Sequence, residues 1–158
     1  MRISLPALAL FAALTLPAAA KAADWALETG TGTATLGYGT PITDRNAFRL
    51  DCAGGKLVLS TWAASPPRGI TEGNFATSLS VFFGNRELVF TANGRVTGPD
   101  GGTRVDAKIP DPKAFVASLD TVRRLTTVIF AGRRMAIAPK PSQTAAFRKA
   151  CDFQPVAG

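Results

Sequence analysis

Residues 48–63, FRLDCAGGKLVLSTWA, decide the fold. In FRLDC, Phe48, Leu50 and Cys52 fall on one face, and Arg49 and Asp51 fall on the other. That alternation is the period of a half-buried strand. AGG then turns the chain. In KLVLSTWA, Leu57, Leu59 and Thr61 share a face opposite Val58, Ser60 and Trp62. Two such runs joined by a short glycine-bearing link read as a hairpin.

Working toward the C-terminus, ASPPRGITEGN has no periodicity and reads as a surface loop, with Pro66, Pro67 and Arg68 as its candidate contact residues. TSLSVFFG and ELVFTA are strands joined by a GNR turn, and Phe82 and Phe83 point to opposite faces of the first. NG reads as another turn, followed by a short strand at 95–97, a tight GPDGG loop and a strand at 103–109.

The period then changes. In PDPKAFVASLDTVRRL, Asp111 is a helix N-cap and Pro112 stands at the first helical position. Phe115, Val116, Leu119 and Val122 follow at helical spacing. Arg123 and Arg124 are expected in the last turn, where cations suit the helix dipole. LTTVIFAGRRMAIAP reads as a hairpin ended by Pro139 and Pro141. SQTAAFRKACDF reads as a helix opening on Ser142, with Phe147 and Cys151 on one face. The expected fold is mainly β, an antiparallel β-sandwich or small barrel of about seven to eight strands with two short helices near the C-terminus.

Toward the N-terminus, GTGTATLGYG at 30–39 lacks the Lys and Ser/Thr ending of a phosphate loop and precedes no helix, so it reads as glycine-rich turn sequence. Residues 1–22 have the form of a secretory signal peptide: Arg2, an apolar run from Ile3 to Leu16, then small residues, with cleavage expected after Ala22. The run is short of the roughly 20 apolar residues that a membrane anchor needs. Residues 23–158 are then one β-rich domain with no transmembrane segment, and the expected location is the bacterial periplasm or the medium.

Cys52 and Cys151 are the only two cysteines, and both lie in the exported part. An even count in an oxidising compartment predicts a disulfide between them. A redox pair would favour C-x-x-C spacing, and a metal site would want more ligands than a histidine-free chain supplies.

The absence of histidine also removes Ser-His and Cys-His nucleophile activation. Carboxylate chemistry remains open through Glu28, Glu72, Glu87 and the aspartates, of which Asp111 reads as a cap and Asp100 as a turn residue. The chain is basic, with 18 Lys and Arg against 11 Asp and Glu. Arg123 and Arg124, with Arg133 and Arg134, are two doublets flanking one apolar stretch. Brought together, they would suit an acidic glycan, a lipid headgroup or an acidic protein patch. Aromatic interleaving is too sparse there for nucleic acid.

The layout of a leader, an early Trp25, a strand ending in Cys52, a β-rich middle, the hairpin TTVIFAGRRMAIAP and the closing SQTAAFRKAC resembles two groups. These are small exported β-sandwich proteins of the invasion-associated locus B type and periplasmic accessory proteins of type VI secretion. The resemblance implies a non-enzymatic accessory role at the cell envelope, without cofactor or metal and with no active-site residues to carry over. The expected function is therefore a non-catalytic periplasmic binding protein. The alternatives are a carboxylate-dependent hydrolase of an envelope polymer and a protease inhibitor presenting the Pro66–Pro67–Arg68 loop.

Overall fold

A computed structural model describes residues 23–39, 47–97 and 102–152. The signal-peptide reading, the tip of the GPDGG loop and the C-terminal tail lie outside the described residues, as do Asp44 and Asp100. The elements follow the chain as β1 (Asp24–Gly30), β2 (Thr33–Gly39), β3 (Phe48–Ala53), β4 (Lys56–Ala63), β5 (Asn74–Phe83), β6 (Arg86–Thr97), β7 (Gly102–Ile109), α1 (Pro112–Leu119), β8 (Arg124–Ile129), β9 (Gly132–Ile137) and α2 (Pro141–Ala150). The strands form one antiparallel sheet in the order β1-β2-β3-β4-β7-β6-β5-β8-β9, nearly closed into a barrel.

The hairpin at 48–63 forms as its alternation requires. Leu50 pairs with Leu59 and Cys52 with Leu57, and all four are buried. Gly54 and Gly55 make the turn with φ of 54° and 73°, which only a mirror-image two-residue turn uses. The same inward parity continues through Leu36, Leu79, Val81, Val105, Ala107 and Leu125, so a single core fills the barrel.

Nine strands are present rather than seven to eight, because two strands are added at the N-terminal side while two expected strands merge into one. The glycine-rich 30–39 segment is the turn and second arm of a β1–β2 hairpin, whose Trp25 and Leu36 are core residues. The NG at Asn93 and Gly94 is no turn but the interior of the long strand β6. A Cβ on Gly94 would stand 2.1 Å from Cζ of Phe75, its cross-strand partner. The glycine is there so that an aromatic ring can lie over the strand.

The helices cap one end. Asp111 Oδ1 accepts from the Ala114 N–H at 3.0 Å, and Phe115, Val116 and Leu119 are buried. Phe115 stacks edge-on against Phe83. The helix stops at Leu119, so Arg123 and Arg124 are not in its last turn, and Arg124 opens β8. Asp120 is held from α2 by the Thr144 hydroxyl and by Arg148 Nη1 at 2.7 Å, and Thr121 folds back onto the Ser118 carbonyl. Helix α2 begins one residue before Ser142: Lys140 is the N-cap, Pro141 opens the first turn, and the Gln143 side chain accepts from the Lys140 N–H at 2.9 Å.

Cys151, just past α2, is disulfide-bonded to Cys52 of β3 with the Cα atoms 5.9 Å apart. Phe147 on the same face is fully buried. No helix among the described residues is long and apolar enough to cross a membrane.

Candidate partner-binding face

The barrel is not sealed by strand pairing between β1 and β9. With nine antiparallel neighbours in a row, these two edge strands run in the same direction. Among the described residues one hydrogen bond joins them, where β1 starts and β9 ends: the Trp25 indole Nε1 donates to the Ile137 carbonyl at 2.5 Å. Trp25 is itself packed by Tyr38 and Phe48. The β1 edge is then covered by α2. Gln143 Nε2 donates to the Trp25 carbonyl at 3.1 Å, and Thr29, Gly30 and Gly32 share a shallow groove with Ala146, Lys149 and Ala150. Covering an edge with a helix is one of the standard protections against unwanted pairing.

The outer surface of the sheet has two halves. On β2, β3, β4 and β7 it carries two networks of arginine, carboxylate and hydroxyl. Arg49 Nε and Asp51 Oδ2 pair at 2.8 Å, and Thr35 Oγ1 donates to Asp51. Ser60 Oγ donates to Asp106 Oδ1 at 2.5 Å, and Arg104 pairs with Asp106 at 2.7 Å while lying over the Trp62 ring.

On β6, β5, β8 and β9 the outer surface is different. Register sets Glu87, Phe82, Thr126 and Met135 in one cross-strand row and Val89, Ser80, Val128 and Arg133 in the next. Arg124 pairs with Ile137 at the end. Val89, Met135 and Ile137 are 63%, 64% and 63% exposed, and Phe82 and Val128 are half-buried between them. Val89 stands three strands from Met135 and Ile137, with Phe82 and Val128 between them among polar residues, and apolar side chains on one face make it a candidate contact surface.

The arginine doublets frame this patch instead of forming one cluster. Arg124 stands opposite Ile137 and Arg133 opposite Val128, so they are four β9 positions, about 13 Å, apart on the same outer face. Arg134 has the opposite parity, and Arg123 precedes β8. All four are exposed and make no ion pair among the described residues.

Pro66 and Pro67 are half-buried and Arg68 is exposed, in a turn closed by the Ile70 N–H to the Pro67 carbonyl at 3.1 Å. Of the acids, Glu28, Glu72 and Glu87 are exposed and lie apart in the fold, on β1, the 64–73 loop and β6, while Asp51, Asp106 and Asp120 each hold a guanidinium. No group of three or more metal-ligating side chains gathers among the described residues.

A second concavity, of about 220 Å³, lies between α1 and β6, lined by Leu88, Phe90, Ile109 and Phe115 with Arg86 among its other residues. It falls below the roughly 300 Å³ at which small-molecule sites begin. The doublets were legible in the sequence, but Met135 and Ile137 as surface residues were not. Alternation puts them together on one face, and only the barrel shows that the small Ala136 faces in. Neither protein-family models, curated proteins nor solved structures match the chain.

Proposed function

We propose that this protein is a non-catalytic binding domain of the bacterial cell envelope, exported to the periplasm or beyond, that holds another envelope component on the outer face of β6, β5, β8 and β9. The observation that carries this reading is the exposed group Val89, Met135 and Ile137 framed by the unpaired Arg124 and Arg133. An apolar centre with charged groups around it is the anatomy of a protein contact. The Cys52–Cys151 disulfide fits an oxidising compartment. The layout resemblance to exported accessory proteins points the same way.

The test places a photo-crosslinking residue at Val89 or, on the polar half, at Lys108, in the oxidised exported chain within the envelope fraction of its own cells. One component should crosslink reproducibly from position 89 and not from position 108. Equal yields from both positions, or none from 89, would remove this face as the binding surface.

A further inference from the structure

We infer that β9 is a docking edge, at which an extended acidic segment of a partner protein adds as a further strand. This rests on the reading that the face beside β9 is the binding surface, and it names how the partner is held and what chemistry the partner carries.

The hairpin register gives the first part of the argument. Ile129 pairs with Gly132 across a two-residue link, so Gly132 belongs to the hydrogen-bonded closing pair. From there the alternation turns the main-chain groups of Gly132, Arg134 and Ala136 toward β8. Ala138 keeps the same parity, its N–H donating to the Arg123 carbonyl at 2.9 Å. The N–H and C=O groups of Arg133, Met135 and Ile137 therefore face away from the sheet. The Ile137 carbonyl is taken by the Trp25 indole. Those of Arg133 and Met135 have no partner among the described residues, because β1 overlaps β9 only at its tip and α2 follows β1.

Side chains give the second part. Arg133, Met135 and Ile137 project onto the outer face, so a strand laid beside β9 continues the rows that hold Phe82 and Val89. Main-chain bonds and alternate side-chain contacts together are the usual form of strand addition.

Charge identifies the partner. Among the described residues no carboxylate stands against Arg133 or Arg134 on this edge, whereas Arg49 and Arg104 on the polar half are each paired. An incoming strand whose apolar residues continue the outer rows beside Met135 and Ile137 carries its alternate acids on the opposite face, where Arg134 lies. A second copy of this chain would instead bring four guanidiniums together on two basic chains. A lipid surface would cover Met135 and Ile137 but leave the edge amides unpaired, which an apolar medium penalises.

The experiment uses the oxidised exported chain and two short capped peptides, one alternating Glu and Val and one alternating Lys and Val. Backbone amide shifts and hydrogen exchange are read residue by residue. The Glu-Val peptide should bind at least about tenfold more tightly than the Lys-Val peptide and protect the Arg133 and Met135 amides. Met135→Pro removes one outward N–H from an edge strand, where proline is tolerated, and should weaken binding by about tenfold or more. Arg133→Glu with Arg134→Glu leaves the backbone intact and should reverse the peptide preference.

Equal binding of both peptides, binding of neither, or protection elsewhere overturns the proposal. So does concentration-dependent dimerisation abolished by Met135→Pro, or preference for anionic phospholipid vesicles over the Glu-Val peptide. If crosslinking from position 89 survives Met135→Pro while the peptides fail, the edge proposal falls and the binding face stands.

Discussion

The strands β1 and β9 end the same sheet and carry the same hazard, a row of main-chain groups with no neighbour. β1 is covered by α2, with Gln143 on the Trp25 carbonyl and the disulfide fastening the end of the helix to β3. β9 is touched at one point, the Ile137 carbonyl. The outer surface divides in the same way: the half nearer β1 pairs Arg49 and Arg104 with carboxylates, and on the half that ends at β9 Arg124, Arg133 and Arg134 make no ion pair among the described residues.

The largest expected effect falls on the covered edge. Replacing Cys52 and Cys151 by Ser opens a loop with a sequence separation of 99. Loop entropy alone sets the loss at up to about 4.7 kcal/mol. Urea unfolding of the oxidised and Ser-substituted chains measures it, and hydrogen exchange should rise along β1 and α2 more than along β8. A loss under about 1 kcal/mol would mean that the buried Phe147 holds α2 unaided.

The seam itself comes next. Trp25→Phe keeps an aromatic ring against Tyr38 and Phe48 but removes the N–H that the Ile137 carbonyl accepts. The expected cost is about 1–3 kcal/mol, from a lost hydrogen bond and a less well filled site. The sharper readout is local: amides at the end of β9 should exchange faster while those of β3 and β4 do not change. Uniform acceleration would mean that Trp25 acts through the core alone, and the contrast between the edges would lose its structural basis.

The sequence carried some of this arrangement and withheld the rest for physical reasons. Cys52 announced its strand because polar and apolar residues alternate through FRLDC, and Leu57 and Leu59 announced theirs as a β-rich apolar run just past a glycine turn. The β1–β2 hairpin was hidden because Gly30, Gly32, Gly37 and Gly39 supply no side chains to reveal a period. Gly94 looked like a turn because its partner, the Phe75 ring, lies nineteen positions away in sequence. The end of α1 was invisible because Thr144 and Arg148 of α2 hold Asp120, and such long-range contacts override local propensity. On the candidate face, the arginines announced themselves by charge. Their spacing along β9 depends on register, which requires knowing which strand is the neighbour.

The smallest effect tests the division of the surface most directly. Asp106→Ala removes a half-exposed ion pair and takes one partner from the buried Ser60 hydroxyl, though Arg104 Nη2 still reaches that hydroxyl at 3.1 Å. The expected cost is about 1 kcal/mol. Met135→Thr, on the other half, exchanges one exposed strand-compatible residue for another and should leave stability within about 0.5 kcal/mol. Thermal and urea unfolding of the two variants in parallel decide the matter. A loss near 1 kcal/mol from both would mean that Met135 packs against something in the folded chain, and its exposure would then be no sign of a partner. A loss from Asp106→Ala alone would mean that the apolar half contributes nothing to folding that a polar side chain cannot replace. That outcome would leave the 64% exposed methionine available to the partner proposed for this face.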